Sequence, residues 1–130
     1  MQIVRTNRMN DTNPIRGKVV YLSGPMSGIE DLNRPAFAKA ESRAYELGAR
    51  FVFNPCEHWV HSDRPSEWYM RHDLHMLTCS ECGDGDGIAF DVLLALPGYM
   101  MSRGARCEAF VAMMSGIEVV RYSDLLGVRA

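Results

Sequence analysis

Two acidic residues have neighbouring residues that are compatible with a catalytic role. Glu108 lies in SRGARCE, a polar, glycine-containing turn that opens a helix, and Asp73 lies in YMRHDL among apolar helix positions. If both side chains reach one cleft, they can divide sugar-transfer chemistry between a nucleophile and a proton-handling group. Plainer interpretations stay open, because Glu is common near helix starts for dipole reasons and Asp73 can be a solvated residue paired with Arg71 or His72.

Two glycine-containing segments can bring backbone amides close to a ligand. SGPMSG, residues 23–28, follows a short apolar run, and its small residues permit close approach of a ligand to the backbone. A purely structural turn explains this segment equally well. At the start of the Glu108 helix, Ser102 and the free amides can hold an anion such as a 5′-phosphate, since a helix N-terminus carries unpaired donors and partial positive charge.

The spacing of the cysteines raises the question of a metal site. Cys79 and Cys82 form a C-x-x-C pair, with Cys56, His58 and His61 upstream, and structural zinc sites use such ligands. One pair lacks the second pair that makes a zinc motif specific. We therefore expect no metal site and reduced thiols at all 4 cysteines, because nothing indicates export to an oxidising compartment. A zinc-stabilised interaction protein remains an alternative.

Composition indicates one small domain. The chain has 130 residues, 47% of them hydrophobic, which fits a single core. Residues 1–16 lack periodicity and are expected to form a flexible N-terminal arm before a domain at 17–130. The 16 acidic and 14 basic residues are mixed, with net charge −2, which argues against duplex nucleic acid as a partner. Without a signal-peptide core or a long uninterrupted apolar stretch, we expect a cytoplasmic protein that does not contact a membrane.

Strands and helices alternate along the sequence. Apolar runs predict strands at 18–23, 50–54, 88–96 and 117–121, and helical periodicity predicts helices at 34–47, 66–77 and 105–114. Asn33 is expected to cap the first helix. The order predicts an α/β, Rossmann-like (flavodoxin-like) three-layer fold with a small parallel sheet of about four to five strands. Ligands bind beyond the carboxyl ends of such strands, so the loops at 24–32, 54–65 and 97–104 should line one cleft.

Four segments over about residues 18–121 resemble one superfamily. YLSGPMSGIEDLNRPAF, VFNP, YMRHDL and LALPGYMMSRGARCEAFVA, in this order, are similar to the nucleoside 2-deoxyribosyltransferase-like superfamily, in particular its DUF4406 branch. The resemblance implies a Rossmann-like sheet, usually in a homodimer or higher homo-oligomer. It also implies binding of deoxyribonucleosides or their 5′-monophosphates, without a cofactor.

The resemblance implies roles for individual residues. Glu108 attacks the sugar C1′, and Asp73 orients the nucleophile and assists proton transfer to the leaving base. The resemblance also implies two groups of substrate-binding residues. Those at the sugar and base pocket are Tyr21, Gly24, Met26, Ser27 and Gly28. Those at the 5′ end of the ligand are Ser102 and Gly104. Cleavage of the C1′–N bond builds oxocarbenium character, which a close carboxylate can stabilise or capture covalently.

The sequence departs from this pattern in two places. An insertion of roughly residues 80–89, SECGDGDGIA, precedes the third strand, and His72 stands before Asp73 where the pattern has Arg. We expect a 2′-deoxynucleoside 5′-monophosphate N-hydrolase or a nucleoside 2-deoxyribosyltransferase. The alternative is a non-catalytic module that sequesters or senses a nucleotide, because a fold does not guarantee catalysis.

Overall fold

The computed structural model describes residues 13–58, 64–79 and 89–130. In this part of the chain the strands are β1 (Val19–Ser23), β2 (Phe51–Phe53), β3 (Val92–Ala95) and β4 (Glu118–Arg121). The α-helices are α1 (Arg34–Glu46), α2 (Pro55–His58), α3 (Ser66–Thr78) and α4 (Arg103–Met114), and short 3-10 helices lie at Glu30–Asn33, Tyr99–Met101 and Tyr122–Leu125. The alternating order predicted from the sequence is confirmed, and the one-turn helix α2 is an addition to it.

The four strands form one parallel sheet in the order β2-β1-β3-β4. Val20 of β1 is aligned with Val52 on one side and Val92 on the other, and Leu94 of β3 is aligned with Val120. The chain moves outward in one direction from β1 to β2 and in the other from β3 to β4. The carboxyl ends of β1 and β3 therefore meet at the topological switch point, where ligands of open α/β sheets bind.

Helices cover both faces of the sheet, which makes the fold three-layered. On one face α1 packs Phe37, Ala40 and Ala44 against a cluster that includes Leu22 and Leu94. The opposite face carries the side chains of the alternate strand positions together with residues of α3 and α4, among them Tyr21, Leu93, Leu77, Ala109 and Ala112. All five residues of β1 are buried, as expected for a parallel strand covered on both sides. The α/β, Rossmann-like fold predicted from the sequence is confirmed, with four strands.

The packed chain begins earlier than the predicted boundary at residue 17. Ile15 is fully buried, and the Asn13 side chain donates a hydrogen bond of 2.8 Å to the Leu47 carbonyl oxygen. Gly17 N–H bonds the Gly48 carbonyl at 2.8 Å. Ile15 is a single aliphatic residue between Pro14 and Arg16, and one residue has no periodicity, so this anchor could not be predicted from the sequence. Residues 1–12 of the predicted arm lie outside the described part of the chain.

Two predicted details of the loops and strands differ from the structure. The strand predicted over 88–96 is shorter in the structure, Val92–Ala95, and residue 88 lies outside the described residues. Just before this strand, the Asp91 carboxylate accepts a hydrogen bond of 2.9 Å from Val19 N–H. Asn33 occupies the cap position of α1, but its side chain donates to the Pro25 carbonyl oxygen at 3.0 Å and does not cap the helix. The prediction of a side-chain cap at Asn33 is therefore wrong.

Within the described ranges, none of the helices has the length and apolar character needed to cross a membrane.

Candidate active site

Glu108 reaches the centre of the molecule because α4 approaches the sheet closely. The helix begins where the Ser102 hydroxyl accepts a hydrogen bond of 3.2 Å from Ala105 N–H, a typical N-cap contact. Its buried face carries small side chains, Ala105, Ala109 and Ala112, so the helix axis can lie near the strands. Glu108 lies on this same face and is only 7% exposed.

Both carboxylate oxygens of Glu108 accept hydrogen bonds from hydroxyl groups of β1. The Tyr21 hydroxyl donates to Oε2 at 2.7 Å and the Ser23 hydroxyl donates to Oε1 at 2.6 Å. Residues two apart in a strand point to the same face, which is why both hydroxyls reach one side chain. The short distances are typical of hydrogen bonds to an ionised acceptor.

The surroundings of Glu108 set its charge. The pKa of Glu108 is raised from 4.5 to about 7, mainly because the carboxyl group is buried. The hydrogen bond from Ser23 lowers the pKa, as does the weaker effect of the hydrogen bond from Tyr21, whereas the charge of Asp73 raises it. Burial, followed by the nearby charges of Glu108 and Asp73, raises the pKa of Tyr21 well above its ordinary value. Tyr21 therefore keeps its proton at neutral pH and remains a hydrogen-bond donor.

Asp73 is a buried acid and not a solvated helix residue. It lies in the middle of α3, is 9% exposed, and its charge raises the pKa of both Glu108 and Tyr21. Helices α3 and α4 pack together, and a Cβ atom at Gly104 would lie 3.1 Å from Cε of Met70. The structure thus brings the two predicted carboxylates into one electrostatic unit on one face of the sheet.

Both glycines of the loop after β1 occupy positions where a larger residue would be unfavourable. A Cβ atom on Gly24 would lie 2.8 Å from Cβ of Leu96, closer than real Cβ contacts, and Gly28 has a φ of +78°, which favours glycine. Met26 packs, partly buried, against the hydrophobic cluster on the α1 side of the sheet. Ser27 and Gly28 are exposed. The substrate-binding roles of these four residues stay predictions.

The two residues expected at the 5′ end of a ligand also have structural contacts. The Ser102 hydroxyl is engaged as the cap of α4, and Gly104 faces Met70 of α3. Arg103 and Arg106 are exposed in the first turn of α4. Binding of a phosphate here stays a prediction, and these contacts explain the residue types without it.

Sequence reasoning missed the contact between Ser23 and Glu108 and the aromatic surroundings of Tyr21. Ser23 belongs both to the predicted strand at 18–23 and to the segment 23–28, and its position two residues after Tyr21 indicates that both side chains share a face of the strand. The Tyr21 ring stacks on Phe53 with centroids 5.2 Å apart and meets Phe90 edge-on at 5.3 Å. These contacts fix the phenol ring beside Glu108.

A separate cleft of about 250 Å³ opens beyond the carboxyl ends of β3 and β4. Its lining comes from two segments, residues 95–100 and 121–123, and does not include Glu108. The buried groups Glu108 and Tyr21, whose pKa values are raised, lie elsewhere, beside β1. We therefore assign the candidate chemistry to the buried carboxylates and not to this cleft.

The cysteine segment is only partly described. Cys56 and Cys107 are free, whereas Cys79 is disulfide-bonded, so the prediction of a reduced thiol is wrong at Cys79. Its oxidation state could not be predicted from composition, which carries no information on local geometry. Cys82, His61 and the insertion residues 80–88 lie outside the described residues. Among the residues that are described, no three His, Cys, Asp or Glu side chains are placed to hold a metal ion.

Comparison with known proteins gives one match. Residues 18–121 match the family described as a domain of unknown function (DUF4406). Searches of curated proteins and of solved structures gave no match. Because the match spans well over half of the 130 residues, the chain belongs to the DUF4406 family.

Proposed function

We propose that this protein cleaves or transfers the N-glycosidic bond of a nucleoside or nucleotide, as a member of the nucleoside 2-deoxyribosyltransferase-like superfamily. The observation that carries the proposal is the environment of Glu108. This buried carboxylate accepts one hydroxyl hydrogen bond on each oxygen and lies within the electrostatic influence of a second buried acid. Paired titratable groups with different surroundings are characteristic of acid–base and nucleophilic sites.

The proposed reaction begins with attack of ionised Glu108 on the sugar C1′. A bond forms between a Glu108 oxygen and C1′, the C1′–N bond breaks with its electron pair going to the base, and Asp73 assists delivery of a proton to that base. Water then attacks C1′ to release the free sugar and restore the carboxylate. If a second base attacks instead, the product is a new nucleoside.

The pKa of Glu108 suits this role. A value of about 7 leaves a large fraction of the carboxylate ionised at neutral pH. The desolvation that raises the pKa also leaves the anion less stabilised than in water, and covalent capture of C1′ removes the buried charge. Tyr21 and Ser23 hold the two oxygens in place, which limits the orientations from which attack can occur.

The proposed substrates are nucleosides or their 5′-monophosphates. Arg103 and Arg106 are exposed at the first turn of α4, where a phosphate would also meet the positive end of the helix dipole. Helix α4 carries no acidic residue in its first turn. This charge distribution supports an anionic 5′ group near the start of the helix that carries Glu108.

We further propose that the chain forms a homo-oligomer through the outer face of α4. Three large apolar side chains on this face are more than half exposed: Phe110, Met113 and Met114. Contiguous exposed apolar surface of this kind usually marks an interaction site. In an antiparallel pairing of two α4 helices, Arg103 and Arg106 of one copy would approach the negative end of the other helix, which makes a second copy the complementary occupant.

The test is chromatographic detection of free base after incubation with a panel of ribo- and deoxyribonucleosides and their monophosphates. Glu108→Gln, which keeps the side-chain shape but cannot act as an anionic nucleophile, should abolish release. The matched control is Glu118→Gln on the exposed surface of β4, which should leave release unchanged. Binding of a panel member without release, unaffected by Glu108→Gln, would identify a sequestering or sensing module and overturn the proposal.

Asp73→Asn tests the second carboxylate in the same assay. Loss of proton handling at the leaving base should slow release by about 10²–10⁴-fold, the usual contribution of general acid–base catalysis. Bases that leave readily without protonation should be affected least. An unchanged rate for every base would remove Asp73 from the mechanism.

A further inference from the structure

We propose that Ser23 is a positioning residue that holds Oε1 of Glu108 and keeps this carboxylate ionised. The inference deepens the proposed function, on which its catalytic consequence rests. The effect on Glu108 itself can be measured in the resting protein, without any substrate.

The position of Ser23 is tightly defined. It is the last residue of β1 and is 1% exposed. Its carbonyl oxygen accepts a hydrogen bond of 2.8 Å from Leu96 N–H, and it is aligned with Ala95 of β3. The next residue, Gly24, lies so close to Leu96 that a Cβ atom would not fit. The backbone of Ser23 is therefore held against the end of β3, and from this position its hydroxyl donates to Glu108.

The two hydroxyl groups that donate to Glu108 can be removed independently of each other. Ser23 donates to Oε1 and Tyr21 donates to Oε2, so loss of one hydroxyl leaves the other oxygen with its donor. Tyr21 has further contacts with Phe53 and Phe90, and its loss would disturb the packing of aromatic rings. The Ser23 side chain is small, which makes its removal the cleaner change.

The charges that bear on Glu108 come from two elements. Asp73 on α3 and Tyr21 on β1 are the titratable groups with the largest effects on the pKa of Glu108, while β3 contributes apolar Leu93 and Ala95 to the same face. Burial and Asp73 both raise the pKa of Glu108. The Ser23 hydrogen bond is the strongest influence in the opposite direction, ahead of the bond from Tyr21. With its hydroxyl 2.6 Å from Oε1, Ser23 is therefore the donor that we expect to do most to keep the buried carboxylate charged.

The consequence is a specific effect on pH dependence. Without the Ser23 hydroxyl, Glu108 should ionise only at higher pH, so activity lost at neutral pH should return in alkaline solution. A purely structural role for Ser23 would reduce activity by the same factor at every pH. The shape of the pH profile therefore separates the two roles.

The experiment compares Ser23→Ala and Ser23→Thr with the unchanged protein. The Glu108 carboxyl is titrated by ¹³C NMR in the resting protein, with Glu108→Gln used to assign the signal, and kcat/KM is measured across pH for the substrate found in the panel. We expect Ser23→Ala to move both midpoints upward by about one pH unit, since hydrogen bonds to charged groups are among the stronger ones. Ser23→Thr retains the hydroxyl and should keep both midpoints in place.

The outcomes separate this inference from the proposed function. A Glu108 midpoint that does not move in folded Ser23→Ala overturns the inference, even if Glu108 proves essential for base release. An upward shift in the NMR titration together with no base release from any panel member retains the role of Ser23 and rejects the proposed reaction. If Ser23→Ala does not fold, Ser23→Cys supplies a side chain of similar shape with a weak donor, and the same upward shift is expected from it.

Discussion

At the scale of single residues, the site depends on a carboxylate that is placed where water cannot stabilise its charge. A buried acid of this kind normally becomes neutral, and burial does raise the pKa of Glu108 to about 7. Two hydroxyl donors oppose that tendency without adding a positive charge. An arginine or lysine partner would form an ion pair and weaken the nucleophile, whereas neutral donors hold the anion and leave it reactive.

The raised pKa of Glu108 predicts a stability that falls as pH rises. In the unfolded chain the carboxyl has its ordinary pKa of 4.5, and in the folded protein the value is about 7, so the folded state binds the proton more tightly. The stabilising contribution is complete below pH 4.5 and is lost as pH rises through 7. Between pH 5 and pH 8 we expect a loss of about 2–3 kcal/mol from this group.

Urea unfolding of the protein and of Glu108→Gln at both pH values measures this contribution. The variant lacks the titrating group, so the difference in unfolding free energy between the two proteins should change with pH by the amount given above. Glu118→Gln, at an exposed position, should reproduce the pH dependence of the unchanged protein. Parallel pH curves for the Glu108→Gln variant and the unchanged protein would show that Glu108 ionises normally.

At the scale of elements, the strand and helix order was predictable, whereas the contacts between elements were not. Alternating apolar and polar runs carry the period of each element, and they predicted the four strands and the three longer helices. The bond between Ser23 and Glu108 joins residues 85 positions apart. It depends on how closely α4 lies on β1, which follows from the small side chains of α4 and has no local signature. Asp73 illustrates the same limit, since its burial depends on the packing of α3 beside α4.

The loop after β1 has an unusual backbone conformation that side-chain contacts hold in place. Asp31, Leu32 and Asn33 all have φ values between 53° and 62°, a region that non-glycine residues rarely adopt. Arg34 bonds the Asp31 carboxylate at 3.2 Å and the Cys56 carbonyl oxygen at 3.1 Å. The bond to Cys56 connects the loop to α2, and both contacts help to maintain its strained conformation. The sequence predicted a loop here, but not this conformation.

Gly24 and Gly28 predict different tolerance to substitution in this loop. At Gly24 a Cβ atom would meet Leu96 at 2.8 Å, so Gly24→Ala must shift the strand end and should destabilise the protein by about 1–3 kcal/mol. Gly28 has open space around it and a positive φ, a conformation that asparagine tolerates. Gly28→Asn should therefore reduce the free energy of unfolding by much less than Gly24→Ala does. Denaturant unfolding of both variants decides the point, and equal losses would contradict the close approach at Gly24.

At the scale of the whole molecule, the two sides of α4 have opposite characters. The inner side carries Glu108 among alanines, and the outer side exposes Phe110 at 59%, Met113 at 61% and Met114 at 72%. Met commonly fills gaps in hydrophobic cores, but Met113 and Met114 lie on the exposed side of this helix. Helical spacing reveals that a residue lies on one face of a helix, but not which face meets the sheet.

The exposed face of α4 predicts a homodimer that a charge on this face would disrupt. Phe110→Glu combined with Met113→Glu places two like charges at the centre of a two-fold contact, where each would face apolar surface or its own copy. The unchanged protein should sediment as a dimer at micromolar concentration and the double variant as a monomer. Leu126→Glu is the matched control, because this exposed apolar residue lies outside α4 and should leave the dimer intact. Since Glu108 lies on the opposite face of the same helix, base release by the monomeric variant would show that the inner face functions alone. If the unchanged protein sediments as a monomer, the proposed dimer is contradicted.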